Sequence, residues 1–208
     1  MDIAGMSNIV TVTTLRAPLH ETIAFVNYHI NSGIDHMILY FDAGDDPAIK
    51  LLEKCSRVTC IRCNGGYWQQ YMRPRPSYIE ERQVINANNA LWLARKLGAD
   101  WIIHIDSDEL VYTEGNLGTV LSAMNEKVHA VRFEMREAVP EQLEYENVFK
   151  EVTLFKAPAG PRQLERLKAA ACRHALYHGE YLRGTRVPNA RCGFQPRLTA
   201  PYPPSDSG

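Results

Sequence analysis

Near the middle of the chain stands the decapeptide Trp101-Ile102-Ile103-His104-Ile105-Asp106-Ser107-Asp108-Glu109-Leu110. Its first five residues are mostly apolar, and three carboxylates follow within four residues. This pattern predicts a buried strand that ends abruptly at a polar turn. Carboxylates crowded at one strand end repel each other unless a cation or protons neutralise them. The decapeptide therefore indicates a divalent metal site, although Asp and Ser also commonly cap a turn or helix.

The residues before the decapeptide alternate between strand and helix patterns. Residues 8–14 are rich in β-branched side chains and residues 36–41 are mostly apolar, so each run predicts a buried strand. A helix ended by Gly33 is predicted between them, because apolar residues recur there at helical spacing. That apolar face consists of Leu19, Ile23, Val26 and Ile30. A strand, a helix and a strand in this order predict a parallel pair joined by a crossover helix.

The same alternation continues along the chain. A long helix is predicted from Ser77, with Glu80 at the capping-box distance, to Gly98. Its predicted apolar face consists of Val84, Ala87, Leu91 and Ala94. The other predicted elements are a helix near 48–54, a strand at 57–62 closed by Gly65-Gly66, a loop at 67–76, a helix near 117–125, and strands near 128–134 and 151–156.

These elements predict the fold class and the domain organisation. Alternating strands and helices predict an α/β, Rossmann-like fold with a mostly parallel sheet and helices on both faces. Ligands of such sheets bind beyond the carboxyl ends of the strands. We expect one domain over residues 1–198 and a disordered tail over residues 199–208.

The composition excludes several classes of protein. A chain of 208 residues with 45% hydrophobic residues can bury a core, which argues against disorder. Lys+Arg 23 against Asp+Glu 24 leaves a net charge of −1, so no overall positive field attracts nucleic acid. No apolar run approaches the ~20 residues that span a bilayer. Because the first residues also lack a signal-peptide pattern, we expect a cytoplasmic protein.

The five cysteines are an odd number, which favours reduced thiols over a disulfide framework. Cys60 and Cys63 form a C-x-x-C pair, for which Cys172, His174 or His178 could complete a zinc site. An isolated pair is a weak zinc signal, so ordinary thiols are the preferred interpretation.

Several motifs occur in an order that resembles a known family. They are Asn27-Tyr28-His29 with Ser32-Gly33-Ile34-Asp35-His36, Tyr40-Phe41-Asp42, Arg82-Gln83 with Asn86, and Ala99-Asp100-Trp101-Ile102 running into Asp106-Ser107-Asp108-Glu109-Leu110. In this combination the chain resembles a GT-A glycosyltransferase of the family-2-like and family-92-like group, also labelled domain of unknown function 23. The resemblance runs from about Val10 to Asp108, and more loosely from Phe155-Lys156 to Arg183-Gly184.

The resemblance implies the GT-A fold and an activity. It implies transfer of a sugar from a nucleotide-diphosphate-sugar donor, with a UDP-sugar as the first candidate, to a hydroxyl of a glycan, lipid or polysaccharide precursor. If the acceptor is a lipid, a peripheral position at the inner face of a membrane stays open.

The resemblance also implies roles for individual residues. Thr13, Leu15 and Arg16 would lie against the nucleotide, and Asp42 would accept hydrogen bonds from its base or ribose. Gln83 and Asn86 would face the donor. Asp106 and Asp108 would hold Mn²⁺ or Mg²⁺ on the diphosphate, with Asp106 also a donor contact and His178 a third metal ligand or an acceptor contact.

An inverting transferase also needs a base that deprotonates the acceptor hydroxyl. The candidates are Glu134, Glu137 and Glu109, and Glu137 is preferred. In relatives the C-terminal region carries Gly-His, Gly-Lys and Arg motifs, whereas residues 183–191 of this chain contain neither His nor Lys. That departure supports a second interpretation, a noncatalytic nucleotide-sugar-binding or assembly protein that has lost the acceptor half.

Two other phosphate enzymes fit the sequence less well. A nucleotidyltransferase is disfavoured because residues 13–18 contain no glycine for a phosphate-binding loop. An aspartyl phosphatase would carry its D-x-D motif at the first strand, whereas here the motif follows the fourth.

Overall fold

The computed structural model describes residues 7–71, 74–134, 136–142, 144–145 and 151–156, together with the backbone of 183–186. The described residues belong to two compact units. One contains the residues up to Val131 and the strand at 183–186, and the other contains the residues from Arg132 to 156. The predicted tail at 199–208 lies outside the described residues, and the single-domain interpretation of 1–198 stays a prediction.

Strands and helices alternate through the first unit, and short strands follow in the second. In chain order the elements are β1 (Ile9–Leu15), α1 (Leu19–Asn31), β2 (His36–Phe41), α2 (Ala48–Leu52), β3 (Val58–Arg62), α3 (Gly65–Gln69), α4 (Ile79–Lys96), β4 (Trp101–His104), α5 (Leu117–Ser122), β5 (Ala130–Arg132), β6 (Glu137–Ala138), β7 (Phe155–Lys156) and β8 (Arg183–Arg186).

The first four strands form a parallel sheet. The strand order is β3-β2-β1-β4-β8-β5, with β1 between β2 and β4 and with β8 antiparallel to β4. All seven residues of β1 are buried, as expected for a central strand covered on both faces. The structure therefore shows a mixed α/β fold with a four-stranded parallel sheet, which is compatible with a Rossmann-like fold. In the second unit, β6 and β7 form an antiparallel pair.

The order in which successive strands are added to the sheet reverses at β1, although the strands themselves stay parallel. From β1 the chain passes through α1 to β2 on one side, and from β3 it passes through α3 and α4 to β4 on the other side of β1. Because parallel crossovers are right-handed, opposite directions of travel place α1 and α4 on opposite faces of the sheet. Side chains of β1, β2, β4, α3 and α4 share one core cluster, which includes Val12, Tyr40, Trp68, Ile85 and Ile102. The carboxyl ends of β1 and β4 therefore flank a topological switch point, where open α/β sheets bind ligands.

The buried faces of the two long helices differ from the predicted ones. On α1 the buried residues are Thr22, Phe25, Val26 and His29, and Leu19 is 38% exposed. On α4 they are Arg82, Ile85, Asn86, Ala90 and Ala94, so only Ala94 of the predicted face is buried. Both predictions counted apolar residues alone, whereas the helices also bury the polar side chains of His29, Arg82 and Asn86, which have partners inside the fold.

The boundaries of several other helices and strands also differ from the predicted ones. Gly65-Gly66 begins α3 rather than closing a strand, because the Asn64 side chain accepts a hydrogen bond from the Tyr67 backbone N–H at 3.0 Å and caps the helix. The long helix begins at Ile79 after Tyr78, with no side-chain cap, so Ser77 is not its capping residue. The strands predicted at 128–134 and 151–156 shorten to β5 and β7.

The glycine predictions at the two helix ends are confirmed. Gly33 follows α1 with φ +99°, and Gly98 follows α4 with φ +68°. Side chains with a Cβ rarely adopt this backbone conformation, so glycine permits the sharp reversal from each helix towards the next strand. Within the part of the chain that the structure describes, no helix is both long and apolar enough to cross a membrane.

Candidate functional site

Polar residues follow three of the parallel strands. Arg16 follows β1, Asp42 follows β2, and Asp106 and Asp108 come shortly after β4. The carboxyl ends of parallel strands meet at one edge of the sheet, so these residues share the edge that contains the switch point. Arg16 and Asp108 are exposed, Asp106 is half-buried and Asp42 is buried.

Helix α4 connects three of these strand ends. Gln83 Nε2 donates to Asp106 Oδ1 at 2.7 Å, and Asn86 Nδ2 donates to Thr14 Oγ1 at 2.8 Å. Arg82 Nε lies 2.9 Å from Asp42 Oδ1. The first turns of α4 therefore hold the ends of β1, β2 and the segment after β4 in one fixed arrangement.

Asp42 lies between two arginines. Its side chain is 3% exposed, and besides Arg82 it contacts Arg75, whose Nη2 donates to Oδ2 at 2.7 Å. Arg82 Nη2 donates to the same oxygen at 3.1 Å. A buried carboxylate needs such partners, because an unpaired buried charge is costly. Both oxygens of Asp42 thus contact arginines. Its contact with a base or ribose stays a prediction.

Asn86 belongs to a buried hydrogen-bond network. The Tyr67 hydroxyl donates to Asn86 Oδ1 at 2.6 Å, and the Tyr71 hydroxyl donates to the Tyr67 oxygen at 3.4 Å. Burial is the main cause that raises the pKa of Tyr67, so the hydroxyl keeps its proton and remains a donor. Because Asn86 is 0% exposed, its observed role is to hold Thr14 at the end of β1. From the sequence, the segment that contains Tyr67 and Tyr71 was indicated only as an aromatic-rich loop.

The turn after β4 is closed by Glu109. The Asp106 backbone N–H donates to Glu109 Oε2 at 3.1 Å, and the Glu109 backbone N–H donates to the Asp106 carbonyl oxygen at 3.1 Å. The side chain of Asp106 instead accepts from Gln83. The sequence allowed either a metal site or capping of a turn. Glu109 is the residue whose side chain closes the turn, while the Asp106 carboxylate contacts α4.

The carboxylates of this turn perturb one another. Burial raises the pKa of Asp106, His104 acts in the opposite direction, and the charge of Asp108 adds to the rise. Burial also raises the pKa of Glu109, the Asp106 backbone N–H opposes the rise, and the charges of Asp106 and Asp108 increase it. The turn is therefore a place where negative charge is unfavourable, and a bound cation would relieve that cost.

A divalent metal at this turn would take only part of its ligands from the described residues. Among the described residues no group of three His, Cys, Asp or Glu side chains is placed to hold a metal ion, and His178 lies outside them. Mg²⁺ is commonly bound through one or two carboxylates with the remaining ligands from water and substrate phosphates. The pair Asp106 and Asp108 has that chemistry, so the predicted metal role of these two residues is retained as a proposal.

Helix α1 holds the segment that follows the turn. His29 Nδ1 is 2.9 Å from the Phe25 carbonyl oxygen, which assigns the proton to that nitrogen and leaves Nε2 to accept from the Val111 N–H at 3.3 Å. The Tyr28 hydroxyl donates to the Val111 carbonyl oxygen at 3.1 Å. Both polar groups of one backbone residue are therefore fixed by adjacent residues of α1. The sequence signal was the Asn27-Tyr28-His29 motif, to which no role was given.

The remaining predicted nucleotide contacts lie on or next to β1. Thr13 and Leu15 are 0% and 2% exposed, so both side chains belong to the core. Arg16, the next residue, is exposed at the carboxyl edge. Their contacts with a nucleotide stay predictions.

The two preferred candidates for the base belong to the second unit. Glu137 forms an ion pair with Lys156 across the β6–β7 pair, and its side chain is 61% exposed. Glu134 lies 3.5 Å from Arg136 and is 80% exposed. Both glutamates are therefore surface residues of this unit, and their catalytic role stays a prediction.

The thiols of the C-x-x-C pair are free. Burial is the main cause that raises the pKa of Cys60 to about 11 and that of Cys63 to about 12, so both stay protonated at neutral pH. The other proposed zinc ligands, Cys172, His174 and His178, lie outside the described residues. The preference for ordinary thiols over a zinc site stays a prediction.

Two curated relatives from Arabidopsis thaliana are similar to this chain. The protein named Glycosyltransferase-like At2g41451 is 25% identical over 199 residues, an alignment that includes 86% of this chain and 42% of that protein. Glycosyltransferase-like At3g57200 is 22% identical over 169 residues, which include 71% of this chain and 33% of that protein. The chain thus spans less than half the length of the curated relatives it matches. No protein-family model matches the chain, and no solved structure matches it.

Proposed function

We propose that the chain binds a nucleotide-diphosphate sugar at the carboxyl edge of the sheet and takes part in glycosyl transfer. The observation that carries the proposal is the arrangement made by α4, in which Arg82, Gln83 and Asn86 fix three strand ends around the switch point. The names of the two relatives support glycosyl transfer in general. The proposal includes a GT-A fold, a cytoplasmic location and a glycan or lipid as the acceptor.

Within this proposal Asp106 and Asp108 are the residues that would hold Mn²⁺ or Mg²⁺. The bound ion supplies Lewis-acid stabilisation of the negative charge on the leaving nucleoside diphosphate. Gln83 orients Asp106 through its hydrogen bond, and the exposed Arg16 adds positive charge at the same edge.

In an inverting reaction Glu137, or Glu134, takes the proton of the acceptor hydroxyl. The hydroxyl oxygen forms a bond to the anomeric carbon, while the bond from that carbon to the phosphate oxygen breaks. The electron pair of the broken bond leaves with the nucleoside diphosphate.

A second candidate is the noncatalytic nucleotide-sugar-binding protein. It is favoured by the placement of Glu134 and Glu137, which are exposed and lie beside cationic partners rather than in a buried site. In this form the chain would keep the donor site and lack a base in the described part of the chain.

Calorimetric titration tests donor binding directly. UDP, GDP and a UDP-sugar are added with and without Mn²⁺ to the unmodified chain, to Asp108→Ala and to Glu114→Ala. We expect metal-dependent binding that falls at least about tenfold in Asp108→Ala, because one of two carboxylate ligands is lost. Glu114 is an exposed carboxylate further along the same loop, so its variant should bind as the unmodified chain does. No binding of any nucleotide would overturn the proposed function.

The role of the base is tested separately. Glu137→Gln keeps the shape of the side chain and removes its basicity, so we expect kcat for transfer to fall by about 10²-fold or more with unchanged nucleotide affinity. Glu141→Gln, at another exposed position of the second unit, serves as the control. Unchanged turnover in Glu137→Gln would exclude Glu137 as the base.

A further inference from the structure

The ion cluster at the end of β2 carries excess positive charge. One carboxylate, Asp42, contacts two guanidinium groups, those of Arg75 and Arg82. One negative charge against two positive charges leaves one positive charge uncompensated within the cluster. The cluster lies at the carboxyl edge of the sheet, where α/β proteins bind their ligands.

The two arginines are used differently. Arg82 is buried, and besides Asp42 its Nη1 donates to the carbonyl oxygens of Pro76 and Ser77 at 2.8 Å each. Both of its terminal nitrogens are hydrogen-bonded inside the fold, and its Nε lies in an ion pair 2.9 Å from Asp42 Oδ1. Arg82 is fully occupied in holding the segment before α4 against β2.

Arg75 keeps most of its guanidinium group available. Its side chain is 42% exposed, and among the described residues its one partner is Asp42, through Nη2. The backbone that carries it is anchored, because the two following carbonyl groups are those held by Arg82. Arg75 is therefore a partly exposed cation whose position is fixed from both its side chain and its backbone.

We propose that Arg75 binds a phosphate group of the nucleotide donor, an inference that rests on the proposed function. A guanidinium group offers paired N–H donors that match two oxygens of a phosphate, and Asp42 occupies only one of its nitrogens. Asp42 is then the anchor that orients Arg75 rather than a contact of the base or ribose.

Arg75 is linked to the proposed metal-binding turn through residues of α4. Arg75 contacts Asp42, Asp42 contacts Arg82, and the neighbouring Gln83 contacts Asp106. A short chain of direct contacts thus joins Arg75 to the proposed metal-binding turn. Arg75 and the proposed metal-binding turn therefore belong to the same carboxyl edge, where the donor is proposed to bind.

The test compares two ligands that share a diphosphate and differ in the nucleoside. UDP and inorganic pyrophosphate are titrated at a fixed Mg²⁺ concentration into the unmodified chain, Arg75→Gln and Arg62→Gln. Arg62 is a matched control at the end of the neighbouring strand β3, since its Nη2 lies 2.8 Å from Glu53 and its side chain is 41% exposed. Thermal unfolding of each variant checks that the fold is intact.

We expect Arg75→Gln to weaken both ligands by a similar factor, about tenfold or more, and Arg62→Gln to change neither. A loss confined to UDP would identify a contact with the base or ribose and would overturn the phosphate proposal. Unchanged affinities in Arg75→Gln, with normal binding by the unmodified chain, would overturn it while leaving the proposed function in place. Absence of binding by the unmodified chain would overturn both.

Discussion

Replacing Arg82 with methionine is expected to lower the free energy of unfolding by about 3 kcal/mol. The Asp42 side chain is 3% exposed and would lose the partner that contacts both its oxygens. Breaking a buried pair from one side typically costs about 3–5 kcal/mol. The lower end applies here, because Arg75 still contacts Asp42. Denaturant unfolding of the variant measures the change.

A control and a second variant isolate the cause. Arg62→Met removes an arginine from an exposed pair with Glu53, so it should cost no more than about 1 kcal/mol. Adding Asp42→Asn to Arg82→Met removes the carboxylate charge that Arg82→Met leaves without this partner. The double variant should therefore lose less free energy of unfolding than the sum of the losses in the two single variants. If Arg82→Met were within about 1 kcal/mol of the unmodified chain, the cluster would not be the buried pair described above.

The central strands could be predicted from the sequence because they are buried on both faces. The second strand has the predicted bounds, His36–Phe41, and the first is shifted by one residue to Ile9–Leu15. A strand covered on both faces has a continuous apolar or β-branched sequence. It can therefore be recognised without knowing which elements pack against it. The ends of β5 and β7 are exposed and carry no such pattern, and they were predicted too long.

The helix faces could not be predicted in the same way. Periodicity ranks positions by the hydrophobicity of the side chain, and on that basis Arg82 and Asn86 belong to solvent. Their burial depends on Asp42 and Thr14, which are distant in sequence and adjacent only in the folded sheet. A buried polar residue is stable when its partner is present, and the pairing is a tertiary property.

The candidate site was predictable in outline and not in its contacts. Asp42 and Asp106 follow parallel strands, so the order of elements alone places them at one edge. The contacts of Gln83 with Asp106 and of Arg75 with Asp42 depend on how α4 and the segment before it pack against the sheet, which is a tertiary property. Tyr28 and His29 were visible only as a motif, because their contact at Val111 lies in irregular chain after the turn that follows β4.

The stability of the protein is expected to fall in mild acid because of His29. The imidazole is 0% exposed, and burial lowers its pKa from 6.5 to about 4, while the hydrogen bond to Phe25 partly opposes this. Between these values the unfolded chain binds a proton that the folded chain does not, so the free energy of unfolding falls as the pH is lowered. The expected loss from this group between pH 7 and pH 5 is about 2 kcal/mol.

Variants of two histidines on the same helix separate this contribution from the others. His29→Gln has no group that titrates in this range, so its free energy of unfolding should fall by about 2 kcal/mol less than that of the unmodified chain between pH 7 and pH 5. His20 is on α1 with its side chain 80% exposed, so His20→Gln should keep the pH dependence of the unmodified chain. The comparison uses slopes against pH, so a constant loss in His29→Gln from the missing bond to Val111 does not affect it. Equal slopes in all three proteins would show that folding does not lower the pKa of His29.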